Sequence, residues 1–138
     1  MKRRYDHRYR RGVQAVEFGL ILPVMITLFS GIADYGWLMH RQQLLMNVCR
    51  EAARAGAVTD EYTDPRTAAE ARAEAAAVEY GLSLEEVTVE TSLGGVSPNE
   101  TIEVTLTLAV EPLVGLVPVP LSIDTSLTMR LEEQSDDD

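Results

Sequence analysis

From Val13 to Ala33 the chain runs through 21 residues with a single charged side chain, Glu17. In a helix those positions reach roughly 31 Å, the thickness of a bilayer's hydrocarbon core. A segment of that length and polarity reads as a membrane helix, and the rest of the chain has to be arranged around it. With 138 residues in all, there is room for one small domain besides.

The charge is sorted along the sequence. Lys2, Arg3, Arg4, Arg8, Arg10 and Arg11 precede the apolar run with one acid, Asp6, among them. From Thr59 to the end there are 18 carboxylates against Arg66, Arg72 and Arg130, so the overall charge of -10 conceals two opposite halves. A basic head, an apolar bar and an acidic body predict a single-pass protein in the inner (cytoplasmic) membrane. The N-terminus would stay in the cytoplasm and the body would be periplasmic or extracellular. An acidic body repels phosphates, which argues against nucleic acid as a partner. Cys49 is the only cysteine, so no intrachain disulfide and no thiolate metal site is expected. The apolar run is longer than a secretory h-region, and the triplet Gly31-Ile32-Ala33 leads into more apolar sequence, so it reads as a retained anchor.

Residues 1–12 form a basic cytoplasmic leader without hydrophobic period, expected to be irregular and to touch anionic headgroups. A long helix follows from about Val13 to Val58. Its membrane part is 13–39, with Tyr35 and Trp37 as an aromatic belt at the exported side and Asp34 marking the exit. Pro23 removes one backbone hydrogen bond inside it, which membrane helices tolerate. Gly19, Gly31 and Gly36 are small positions suited to close helix packing. Over 40–58 the helix turns amphipathic, with Leu44, Leu45, Val48, Ala52 and Ala55 recurring every three or four residues. That stalk needs a cover, either the chain's own sheet or neighbouring subunits. Cys49 reads as a small packed residue.

The exported body, 59–131, starts with a polar loop. Asp64 then caps a helix that has Pro65 at its first position and stops at Gly81. Its apolar face, read as Ala68, Ala71, Ala75 and Val78, is thin and predicts peripheral packing. Beyond Gly81 the period changes to two. Val87 and Val89 alternate with polar residues, and so do Ile102, Val104, Leu106, Leu108 and Val110, and then Leu121, Ile123, Leu127 and Met129. The turn-rich stretch 94–99 separates the first two runs, and the unusually apolar connector PLVGLVPVP separates the last two. The expected fold is α+β: a transmembrane helix continuing into a stalk packed on an antiparallel sheet of about three strands, with one extra short helix. Residues 132–138 read as a disordered acidic tail.

No catalytic constellation stands out, and enzyme activity is not expected. His40 has no recognisable triad partner. There is no phosphate-binding or dinucleotide fingerprint and no His/Cys spacing for a metal, so neither a cofactor nor a small-molecule substrate is expected. The carboxylates fall on polar faces of helices and strands. The informative charge is Glu17, because a carboxylate in a membrane helix is costly and implies a partner.

The run R-G-V-Q-A-V-E-F-G-L-I-L-P, with glycine immediately before Val13, glutamate at 17 and Phe18 next, resembles the processing site of type IV pilin-like proteins. More specifically it resembles the TadE-like pseudopilins of the Tad (tight adherence) pilus. The likeness continues through Gly31-Ile32-Ala33-Asp34-Tyr35-Gly36 and Asn47-Val48-Cys49-Arg50-Glu51-Ala52-Ala53-Arg54, spanning about residues 11–56, with a looser likeness in SLTMRLE. Cys49 and Gly19 stand where alanine is more usual. The resemblance implies that a prepilin peptidase cuts between Gly12 and Val13. Glu17, Phe18 and Pro23 would serve in peptidase recognition and assembly, with Glu17 paired to the new Val13 amine of an adjacent subunit. The partners implied are that peptidase, other pilin-like subunits, the Tad assembly machinery and the lipid bilayer. The competing expectation is a membrane-anchored periplasmic binding domain with no pilus role.

Overall fold

The computed structural model describes residues 6–59, 62–96 and 99–132. The first five leader residues, Asp60 and Glu61 of the polar loop, Ser97 and Pro98 of the turn, and the acidic tail from 133 lie outside the described residues. The α+β expectation holds: two helices and a three-stranded antiparallel sheet follow one another in the chain. Helix α1, Asp6–Ala57, is continuous through Pro23. It begins seven residues ahead of Val13, so part of the leader without apolar period is helical. The chain divides into two compact units. One comprises the chain up to Trp37 with Pro112–Val119; the other comprises Leu38–Glu111 and the chain from Pro120 on.

The second unit contains the end of α1, helix α2 (Pro65–Glu79) and strands β1 (Val87–Gly94), β2 (Thr101–Ala109) and β3 (Ser122–Arg130), in the order β1-β2-β3. Glu90 pairs with Thr105, and Thr105 with Ser126, across the sheet. Central strand β2 follows its alternation closely: Ile102, Val104, Leu106 and Leu108 are all fully buried. The stalk supplies the facing layer with Leu45, Val48, Cys49, Ala52 and Ala53, also fully buried. Of the two covers open to the stalk, the chain's own sheet is the one used. The Cys49 thiol points at the carbonyl oxygens of Val104 on β2, 3.4 Å, and Thr125 on β3, 3.9 Å. Only a small side chain fits there.

Helix α2 begins as its sequence demands. The Asp64 carboxylate accepts from the Arg66 N–H at 2.9 Å, and Pro65 opens the first turn without an N–H to satisfy. Beyond Glu79 the chain reverses at Gly81, whose φ of +72° lies in the left-handed region that a Cβ disfavours. The expected inner face is corrected. Ala69, Ala73, Ala76 and Ala77 are fully buried, whereas Val78 is exposed. In a helix this rich in alanine the apolar residues do not single out one face. Ala71 and Ala75 are exposed with Val78, while Glu70 and Glu74 border the cleft toward β1, where Glu70 accepts from the Thr91 hydroxyl at 2.7 Å. Arg66, four residues from Glu70, turns back to Asp64 at 2.8 Å. Leu121, expected on the inner face of the last strand, lies before β3 and is exposed; Thr125 takes the buried place in the alternation.

Two polar contacts give this unit a definite response to pH. The Arg66 guanidinium and backbone N–H hold the Asp64 carboxyl below its ordinary range near 3.8. A depressed folded pKa contributes stability that is complete above the unfolded value and lost as pH falls through the folded one. Just past α2, the Tyr80 hydroxyl donates to Glu51 at 2.8 Å, and this raises the Tyr80 pKa above 10.0. A raised folded pKa works in the opposite sense, losing its contribution as pH rises beyond 10.0. Thermal unfolding against pH is therefore expected to show an acid limb below about pH 4 that Asp64→Asn flattens, since asparagine keeps the cap but not the charge. Tyr80→Phe should flatten the alkaline limb and, because the same hydrogen bond holds the Glu51 carboxyl below its ordinary range, weaken the acid limb as well. Acid and alkaline limbs unchanged in both variants would refute these assignments.

Candidate functional site

The first unit is built on the apolar half of α1. Among the described residues this helix alone is long and apolar enough to cross a membrane. Its side chains do not form a protein core: Leu20 is 71% exposed, Phe29 67%, and Val16, Phe18, Val24, Ile26 and Ile32 are exposed as well. So large an unbroken apolar surface requires an apolar solvent or an apolar partner. Within this surface lies the exposed Glu17, one helical turn after Val13. Among the described residues no ion pair or hydrogen bond engages it. Gly12, Val13, Phe18 and Pro23 share the exposed stretch. The Pro23 carbonyl accepts from the Thr27 hydroxyl at 2.9 Å, so that backbone oxygen gains a partner one turn downstream.

The three glycines differ in surroundings. A Cβ on Gly19 or Gly36 would meet nothing within 4 Å, leaving both open to close approach by another helix. Gly31 is half-covered, and a Cβ there would lie 3.5 Å from the Val117 side chain. That is ordinary van der Waals distance, so Gly31 adjoins the chain's own loop without being crowded by it.

That loop reveals a residue whose role the sequence understated. Asp34, read only as a marker of membrane exit, is 1% exposed. Its carboxyl accepts the backbone N–H of Val114 at 2.7 Å and that of Gly115 at 3.1 Å, and the Ser30 hydroxyl lies 3.4 Å away. Gly115 has a φ of +74°, a conformation that lets its N–H point the same way as its neighbour's. The Tyr35 hydroxyl meets the Pro118 carbonyl at 3.4 Å. Two features of the sequence are compatible with this clasp, though neither identifies it. Ser30 precedes Asp34 by one turn, and an apolar connector rich in proline and glycine has backbone donors that no strand ladder satisfies.

Among the described residues no group of three or more His, Cys, Asp or Glu is gathered closely enough to hold a metal ion. A cleft of about 420 Å³ between α2 and β1, lined in part by Glu70, Glu74 and Glu85, is acidic and open.

The feature that sets this chain apart is thus a stretch of helix carrying one carboxylate on a bare apolar surface and continuing into a buried stalk. Residues 12–54 match the TadE-like protein family. The match starts at Gly12, takes in Glu17, Pro23 and Asp34, and ends at Arg54 on the stalk. The TadE-like segment thus coincides with the helix rather than with the sheet, and α2 and β1–β3 lie beyond it. No curated protein and no solved structure matches the chain.

Proposed function

We propose that this chain is a minor pilin-like (pseudopilin) subunit for assembly of a Tad-type type IV pilus. The observation that carries this reading is the exposed Glu17 on an otherwise apolar helix, inside a segment matching the TadE-like family. A helix that merely anchored a domain would gain nothing from a carboxylate at that depth, whereas a helix packed against its like can use one.

In this reading a prepilin peptidase cuts the Gly12–Val13 bond at the cytoplasmic face of the inner membrane and removes the basic leader. The α-amine released at Val13 of one subunit pairs with Glu17 of the next. In a medium of low dielectric such a pair is far stronger than in water, and it fixes the axial register of adjacent helices. Gly19 and Gly36 admit close approach, and Phe18 and Pro23 complete the peptidase's recognition surface. The head faces the periplasm or the exterior. The role is one of assembly, without chemistry of its own.

The test is the N-terminus of the protein recovered from its native membrane, read by mass spectrometry. A chain beginning at Val13 is expected. An intact Met1 or Lys2 start in cells with an active prepilin peptidase would overturn the reading and leave a simple membrane-anchored binding domain.

A further inference from the structure

We propose that the connector Pro112–Val119 inserts into the exported leaflet of the bilayer and seats a lipid acyl chain between itself and α1. This inference rests on α1 crossing the membrane; it does not depend on the pilus role.

The first argument is position. The loop is fastened to α1 by Val117 against Gly31, by the Asp34 clasp, and by Tyr35 to Pro118. Gly31 lies two residues inside the end of the 13–33 apolar run, about 3 Å below the edge of the hydrocarbon. If the helix spans the bilayer, the loop attached to it lies at that boundary. The second argument is surface. Leu113 is 64% exposed and Leu116 59%, with Val114 exposed between them. Those side chains add to the exposed apolar surface of α1, and apolar groups at this depth fit the headgroup–acyl boundary.

The third argument is the backbone. Irregular chain is costly in lipid because its N–H groups lack partners. Here two of eight residues, Pro112 and Pro118, have no N–H, and two more N–H groups are accepted by Asp34. Much of that cost is removed before the loop meets the membrane. The Asp34 carboxyl gains in turn, since a buried acid at the membrane edge needs donors.

Helix and loop together border an open, shallow apolar groove of about 660 Å³, lined by Val24, Leu28, Ile32 and Val117 among others. Val24 stands near the middle of the apolar run and Tyr35 just past its end, so the groove extends roughly 17 Å along the helix. A groove from mid-membrane to membrane edge fits an acyl chain lying along the helix, with Val117 at its border.

The experiment uses the full chain with Trp37→Phe, which removes its only tryptophan, in phosphatidylcholine liposomes with brominated acyl chains. Leu116→Trp is expected to be quenched by the bromolipid and shielded from aqueous acrylamide, matching Ile32→Trp in the same background. Leu113→Trp repeats the measurement should the first variant not fold. Adding Asp34→Ala should move the loop tryptophan toward acrylamide quenching and leave Ile32→Trp unchanged. A loop tryptophan quenched by acrylamide alone, while Ile32→Trp responds to lipid, overturns the proposal. So does one shielded from both quenchers, which would mean that protein covers the loop. Failure of Ile32→Trp to respond to lipid would overturn the membrane reading as well.

Discussion

Glu17→Gln is expected to leave the protein in the membrane and exclude it from the assembled fibre or its base complex. The substitution removes a charge that opposes insertion. An ionised side chain at the helix centre costs about 2.5–3.5 kcal/mol on insertion scales, and less near the cytoplasmic edge where the proposed topology puts Glu17. Insertion should therefore be unchanged or slightly better. Assembly is affected in the opposite direction. If Glu17 answers the Val13 amine of a neighbour, its loss leaves that amine unpaired among apolar helices. Breaking a buried pair from one side costs about 3–5 kcal/mol, or a loss of roughly two to three and a half orders of magnitude in association. Glu17→Asp, shorter by one methylene, should fall in between because the charge survives and the reach does not. Quantifying the subunit in membrane and assembled fractions decides the matter. Wild-type incorporation of Glu17→Gln would refute the pairing.

The second large effect is expected at Gly56, where the end of α1 meets both α2 and β2. A Cβ built there would lie 2.5 Å from the Ile102 Cδ1, 2.9 Å from the Pro65 carbonyl oxygen and 3.1 Å from the Ala69 Cβ. Ile102 and Ala69 are fully buried, so neither has space to retreat into. Overpacking of this kind costs about 1–3 kcal/mol. In Gly56→Ala the gain in helix propensity, about 1 kcal/mol, offsets part of it. Gly56→Val adds two methyls at the most crowded point and forgoes most of that offset, so it should fall at or beyond the upper end. Ile102→Val removes the methyl nearest the new Cβ, and Gly56→Ala/Ile102→Val should be destabilised by less than the sum of its parts. Denaturant unfolding of the four combinations gives the coupling directly; strict additivity would show that the contact is relieved by movement elsewhere.

The readability of the sequence followed the strength of its periodicity. β2 alternates without interruption from Ile102 to Leu108, and the buried and exposed faces match it residue for residue. The apolar run of α1 and the glycine–valine–glutamate signal that begins it were as plain, since charge is so scarce there that every exception is informative. Helix α2 was legible in its ends and not in its orientation. Asp64, Pro65 and Gly81 determine where it starts and stops through backbone chemistry, but its alanines distinguish no face. The Asp34 clasp was hidden for another reason. Its parts lie 80 residues apart, and hydrogen bonds from two backbone N–H groups to a carboxylate leave no side-chain pattern on the donating loop. The processing bond and the assembly role of Glu17 stay proposals resting on the family match and on exposure.

The position of Cys49 has a consequence for how this protein meets an oxidant. Its thiol is fully buried on the stalk, facing the carbonyl oxygens of two neighbouring strands. A sulfur so placed cannot meet an oxidant or a second thiol until the sheet lifts from the helix. Folded copies therefore do not cross-link to one another even in an oxidising compartment, and only copies whose head has opened are exposed to oxidation. The lone cysteine thus works as a tamper seal, chemically silent while the head is closed and open to oxidation once it has come apart.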